Sequence, residues 1–512
     1  MTDDKLNLAP AYWERGWFWL ALALVSTLPF VVAPMPMMPD HFAHVARYHV
    51  MLDHALNEGQ SEYLSRYFSF QWAVIANLGV DLLMVPLGRL LPLEPAATLA
   101  AALIPALLVL GIYALAKSVY GRVPATALFA LTMVWTHTFL YGFENYWLSV
   151  ALGLLCAAAW IRLGEGAGWR RWLLMAPFSM LVWLAHLSGW GTMGLFVLGW
   201  EMSRVPLGLT WRGYLAAFGT IIGRMLPLAL PLALLPLWRD GNVEGAGELI
   251  LSAASTKLRY LLDMFRGEIL WLDYLQLGLV SVLAIYLLVR LWRWRNRAMV
   301  MATGLQLSCF LFLPFSILGT FFVDVRLLPV VGIAFFLALP EADRRRGHVL
   351  ALAALALFGT RVAEISYGWF QRGQEMQIEL LALEQIPRGS RVVSISRWSN
   401  CNRNVLHGFD HVANFVITRR DGFANTQWDV AGAQLMRPLY NKGRGYNDAD
   451  SGQLKDTAKR SCNGRPLGEI VDGIPRDRFD FVWSFDAPVS RPWLRQVFAG
   501  PHGRLYRIEP AG

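Results

Sequence analysis

Apolar runs long enough to cross a hydrocarbon core of ~30 Å recur from Trp17 to about Tyr367, and polar residues dominate thereafter. They lie near 17–35, 96–116, 123–141, 146–161, 172–187, 190–203, 215–237, 273–289, 298–318, 327–340 and 348–368. Each predicts a transmembrane helix, about eleven in all. The run 71–91 is also apolar but contains Asn77, Gly79, Asp81 and Pro86. Charge decides how it is read. If it does not cross, the basic loops 117–122, 162–171, 204–214, 290–297 and 341–347 all share the side of the N-terminus. If it does cross, every one of them moves outside, against the bias that keeps Lys and Arg in the cytoplasm. Segment 63–92 is therefore expected to form interfacial helices on the external face.

The polar tail predicts a helix through Ile386, a strand in "RGSRVVSIS" and another in "FDFVWSF". Residues 440–475, rich in Gly, Asn, Asp and Lys, read as loop. The expected fold class is an α-helical polytopic membrane protein of about 11 transmembrane helices with a C-terminal soluble α/β domain. Residues 1–369 form the membrane part, with an external loop over 36–95, and 370–512 form the tail domain, on the same external side. No internal repeat is visible.

Composition agrees with a membrane class: 55% of the chain is hydrophobic and only 16% charged. The net charge of +9 does not call for nucleic acid, because the basic excess sits in short loops such as Arg290 to Arg297 and Arg344 to Arg346. No small-x-small cleavage site follows the first apolar run, so it is expected to stay as a span and not to be removed as a signal peptide. Cys156 and Cys309 fall in apolar runs, whereas Cys401 and Cys462 both fall in the tail, where an external location would let them pair.

The external segments hold the suggestive polar residues. In "PMMPDHFAHVARYHVMLDHAL", Pro39 suits a first helical turn, and Asp40, His44 and Arg47 then recur at i, i+4 and i+7 on one face. A carboxylate, an imidazole and a guanidinium project together; the alternative is a solvated amphipathic helix with Asp40 as its cap. His41, Asp53 and His54 add donors, but the spacing matches no strong metal signature. Glu144 and Asn145 lie at an external mouth between spans. His186 lies at another external turn, where Gly189 and Gly191 would let a backbone approach closely. Lys257, Arg259 and Arg326 are the cations on the side suited to hold phosphate, with Asp324 placed to neutralise Arg326. Inside the spans, Arg361 and Glu364 are spaced as mutual partners, and Arg224 has no evident one.

A first span, a long external loop opening with an acidic residue, interfacial helices, paired spans and an external C-terminal domain together resemble the GT-C superfamily of integral membrane glycosyltransferases. "FSFQWAVIANLGVDLLMVPLGRLL" and "AATLAAALIPALLVLGIYALAKSVYGR" are similar in arrangement to the interfacial helix and second span of protein O-mannosyltransferases and lipid A aminoarabinose transferases. The resemblance implies that Asp40 is the base that deprotonates an acceptor hydroxyl while a polyprenyl-phosphate leaves the sugar. It implies a polyprenyl-phosphate-linked donor and membrane lipids as partners, and a bacterial inner membrane with the tail in the periplasm. Asp40-His41 stands where the mannosyltransferases carry an Asp-Glu pair; no cofactor is predicted, although a divalent metal is possible. Two other classes remain: a transporter or lipid flippase, with Arg224 and Arg361 lining a path, and a non-catalytic envelope assembly protein. The first is expected to show two related halves, which this chain lacks.

Overall fold

The computed structural model describes residues 10–57, 61–164, 166, 168–240, 249–291, 295–316, 321–339, 344–397, 408–409, 411–430, 432–447 and 466–510. Cys401 and Cys462 lie outside them, so their pairing does too. The chain is a polytopic helical membrane protein with a small sheet-containing C-terminal region. Among the described residues, five helical stretches are long and apolar enough to cross a membrane: Leu93–Tyr120, Glu144–Leu163, Trp211–Leu237, Leu270–Leu291 and Arg345–Gln385. The apolar helices Gly16–Val25, Arg297–Phe312 and Leu327–Ala338 are shorter.

Besides 215–237, which carries a 3-10 stretch at Leu230–Leu234, two of the predicted spans depart from a single regular helix. The first breaks into Gly16–Val25 and Leu28–Val32. There the Ser26 and Thr27 hydroxyls donate to the carbonyls of Ala23 and Leu24, and Pro29 cannot continue the ladder. The second, 123–141, is a 3-10 stretch Ala125–Met133 followed by the short helix His137–Tyr141. All nine residues of the 3-10 stretch are buried, so protein and not lipid surrounds this weaker backbone geometry. In the ambiguous run, the helix Gly79–Leu90 has 12 residues and so spans ~18 Å, too little to cross alone.

Small residues bring the central helices together. Ala96, Ala97, Ala100 and Ala101 are fully buried along Leu93–Tyr120, which packs against Glu144–Leu163. By contrast, Leu215, Phe218 and Ile222 on Trp211–Ala229, and Val282, Ile285 and Val289 on Leu270–Leu291, are exposed and form lipid-facing surface. The intramembrane charges are paired. Arg361 donates to Glu364, as its spacing predicts, and also to Asp273, each at 2.7 Å. Arg224 reaches Glu201 at 3.2 Å, and Trp160 donates to the other oxygen of that carboxylate. Charges neutralised in this way hold helices together, and a transport path through them would need them released.

The helix Arg344–Leu380 runs without a break through residue 369 and leads into the C-terminal sheet. Among the described residues there are seven strands: β1 Phe68–Phe70, β2 Arg391–Ser396, β3 Phe423–Ala424, β4 Met436–Pro438, β5 Phe481–Phe485, β6 Leu494–Ala499 and β7 Gly503–Ile508. Five form a mixed sheet in the order β3-β2-β5-β7-β6, parallel at β3-β2-β5 and antiparallel thereafter. Both strands expected from the tail sequence, β2 and β5, are central and buried on both faces, which explains their continuous apolar run. The stretch read as loop contains a short helix, Leu467–Asp472.

The tail region is joined to the segment that follows the first apolar helix. β1, from that segment, pairs antiparallel with β4. His49 contacts Asp421 at 2.7 Å, Gln427 donates to the Ala43 carbonyl, and Asn77 donates to the Ala433 carbonyl. Phe42 and Phe415 place their rings 5.3 Å apart between the two helices that carry them. Residues 411–430, 432 and 433 thereby lie over the helix Pro39–Asn57.

Candidate functional site

The helix Pro39–Asn57 begins where the sequence places it, but its polar face is covered, not solvated. Asp40 is 7% exposed and Arg47 3%. Burying a charge demands a partner, and Arg47 finds a bidentate one: Nε and Nη2 each donate at 3.1 Å to the two oxygens of Asp81. Asn145 donates to the same carboxylate and accepts from the Val80 amide, fixing the interfacial helix Gly79–Leu90 against Glu144–Leu163. Arg47 also donates to His44 Nδ1, so the His44 hydrogen sits on Nε2 and reaches the Gly142 carbonyl at 3.2 Å. Burial, Arg47 and His41 together hold the His44 imidazole well below its usual range, and it is neutral at physiological pH.

Asp40 owes its position to a close approach. Gly142 has φ +113°, and a Cβ there would come within 2.7 Å of the Asp40 Cβ. Only glycine allows both the left-handed turn and that contact. Beside it, His41 Nδ1 donates to Glu144 Oε1 at 2.6 Å, joining the two elements by a buried imidazole–carboxylate pair. The C-terminal region closes the other side: His411 Nε2 lies 3.8 Å from Asp40 Oδ1, and the Trp428 ring packs 4.6 Å from His411 and 6.2 Å from His44.

The cations expected to hold phosphate separate into three kinds. Lys257 gives its three ammonium hydrogens to Phe310 O, Leu313 O and Asp324 Oδ2, so it positions a loop and has no donor left for a ligand. Arg259 is exposed and makes no side-chain ion pair among the described residues. Arg326 is buried, and Asp324 neutralises Lys257 in its stead, contrary to the sequence expectation. Arg326 Nε has no hydrogen-bond partner among the described residues. Its guanidinium lies over the Phe143 and Tyr146 rings. Burial pushes its proton affinity down to about 10, opposed by Tyr146 and by the charge of Asp40. Its Nη1 meets His186 Nε2 at 3.1 Å. Because His186 Nδ1 accepts from the Ser188 amide, the ring hydrogen sits on Nε2. Two donors therefore face one another, an arrangement that an anion accepting from both would satisfy.

Gly189 does admit a close neighbour, since a Cβ there would strike Ser149; Gly191 faces open space and does not. Among the described residues no three His, Cys, Asp or Glu side chains converge as metal ligands.

No family model and no curated protein sequence matches the chain. The crystal structure of ArnT from Cupriavidus metallidurans bound to undecaprenyl phosphate superposes over 96% of this chain and 98% of that one, with TM-score 0.51 and 12% identity. The chain therefore shares the fold of that ArnT structure. The arabinofuranosyltransferase AftD from mycobacteria, a cryo-EM structure, matches over 98% of this chain and 40% of that one, with TM-score 0.46 and 14% identity. Within this fold, Asp40, His44, Arg47, Glu144, Asn145, His186 and Arg326 belong to one connected neighbourhood, while Lys257 is taken up by Phe310, Leu313 and Asp324 and Arg259 stands apart. Three members were not apparent from sequence spacing: Asp81, His411 and Trp428. The signal for Asp81 was present as a carboxylate in an otherwise apolar run; the other two carry no local signal.

Proposed function

We propose that the protein is an inverting membrane glycosyltransferase that moves a sugar from a polyprenyl-phosphate donor to an envelope glycan, lipid or protein acceptor. The reaction takes place on the periplasmic face of a bacterial inner membrane. One observation carries the reading: the buried guanidinium of Arg326 makes no ion pair among the described residues, faces a second donor on His186, and lies in the field of Asp40. A base beside a buried anion-seeking cluster is what a displacement at a sugar phosphate needs. The likeness to a fold solved with undecaprenyl phosphate bound supports the donor class.

In this mechanism Asp40 takes the proton of the acceptor hydroxyl as its oxygen bonds to the anomeric carbon. The bond from that carbon to the phosphate oxygen breaks, and Arg326 with His186 stabilises the charge left on the phosphate. His41 and Glu144, joined to each other, fix the wall on which Asp40 is set. Asp40→Asn at equal expression should lower transfer of a labelled sugar from a polyprenyl-phosphate donor by about 100-fold or more. Undiminished transfer would remove Asp40 from the chemistry.

A further inference from the structure

The C-terminal region contributes a titratable group to the Asp40 site that the proposed reaction has not yet used. His411 is 2% exposed and its ring is sandwiched into the site by Trp428. Its two nitrogens are distinguished by their neighbours. Nδ1 lies 3.0 Å from the Thr426 carbonyl, which can only accept, so Nδ1 carries the hydrogen of the neutral ring. Nε2 is then a proton acceptor, and it is the nitrogen 3.8 Å from Asp40 Oδ1. Among the described residues the titratable groups beside the ring are Asp40 and His44, both on Pro39–Asn57, and on its own side of the site the ring meets the uncharged Thr426 carbonyl.

We propose that His411 is the proton-relay partner of Asp40, receiving on Nε2 the proton that Asp40 draws from the acceptor hydroxyl. The inference rests on the reading of Asp40 as base. The acceptor O–H bond breaks and its proton bonds to Asp40 Oδ1, as the new glycosidic bond forms and the sugar–phosphate bond breaks. The proton then passes to His411 Nε2, giving an imidazolium whose Nδ1–H stays on Thr426, and leaves to solvent with the products. Asp40 is thereby ready as a carboxylate for the next turnover. A contraction of ~1 Å, or one water, brings the pair to transfer distance, since such contacts commonly tighten only when substrate is bound. Burial pushes the imidazole down to about 4, close to the range of a carboxyl group, so the relay neither resists the proton nor retains it.

Two measurements test this. The first follows the His411 imidazole by NMR in protein labelled with 15N-histidine, using His411→Gln to assign its signal, with and without Asp40→Asn. Removing the carboxylate should lower the His411 titration midpoint and leave the tautomer unchanged; an unmoved midpoint overturns the coupling, whatever reaction the protein performs. The second measures labelled-sugar transfer by wild type, His411→Gln and His411→Ala. His411→Gln should lose about 10- to 100-fold in kcat with little change in KM for the donor, and added imidazole should partly restore His411→Ala. Wild-type kcat in His411→Gln, or an equal loss with no imidazole rescue in a folded His411→Ala, overturns the relay. Failure of the glycosyltransferase reading would show separately, as absence of transfer by wild type.

Discussion

Replacing Gly142 by Ala puts a methyl group where the structure has no room for one. The added Cβ would sit 2.7 Å from the Asp40 Cβ and 3.2 Å from its N and Cα, whereas carbon atoms rest at ~3.5–4.0 Å. Either the turn or the start of the Pro39–Asn57 helix must yield by ~1 Å. A shift of that size at a reacting group costs up to ~100-fold in rate, or ~2.7 kcal/mol of transition-state stabilisation. The φ of +113° adds backbone strain on the order of 1–3 kcal/mol to the folded state. The two effects are measured apart, as sugar transfer per folded molecule and as the midpoint of thermal unfolding in the same detergent. Gly191→Ala, which meets nothing within 4 Å, should leave both nearly unchanged. If the loss acts through Asp40, Gly142→Ala combined with Asp40→Asn should be no slower than Asp40→Asn alone. A folded Gly142→Ala protein with wild-type transfer would refute the idea that this contact sets the carboxylate.

Asp81→Ala strands the buried Arg47 and should cost ~3–5 kcal/mol in unfolding experiments, most of it recovered by Arg47→Met/Asp81→Leu. Lys257→Met should destabilise by several kcal/mol through the uncompensated Asp324, while any donor bound through Arg326 keeps its affinity in molecules that remain folded. Arg326→Ala should weaken binding of undecaprenyl phosphate in nanodiscs about 10- to 100-fold; equal affinity would remove it from the anion site. Stability should fall as pH drops from about 6.5 to about 4, because the unfolded chain takes up a proton on His411 near pH 6.5 and the folded chain only near 4. Protonation thus favours unfolding across that window, by up to ~3 kcal/mol from this residue, and His411→Gln should flatten the curve there.

The helices were legible because lipid imposes one condition on every span, an apolar surface of sufficient length, and that condition is written locally. Where protein surrounds the chain instead, as at Ala125–Met133, the same apolar composition serves a 3-10 backbone, and composition cannot tell the two apart. The i, i+4, i+7 spacing brought His44 and Arg47 to one face and into hydrogen-bond contact. It could not show that Asp81 would claim the guanidinium, since that pairing depends on how the Gly79–Leu90 helix docks. Asp324 shows the same gap between proximity in sequence and in space: two residues from Arg326, it turns to Lys257. His411 and Trp428 were beyond reach, because nothing in the tail's own pattern says which helix it will cover.

The pairing of β1 with β4 sets an order of events in the life of the molecule. Phe70 leaves the ribosome roughly 370 residues before Met436, which at ~5–20 residues per second is a delay of about 20–70 seconds. Throughout that interval the segment that carries Asp40 exists without His411 or Trp428. The surroundings of Asp40 are thus completed in one late step, when a strand made near the end reaches a segment made near the beginning.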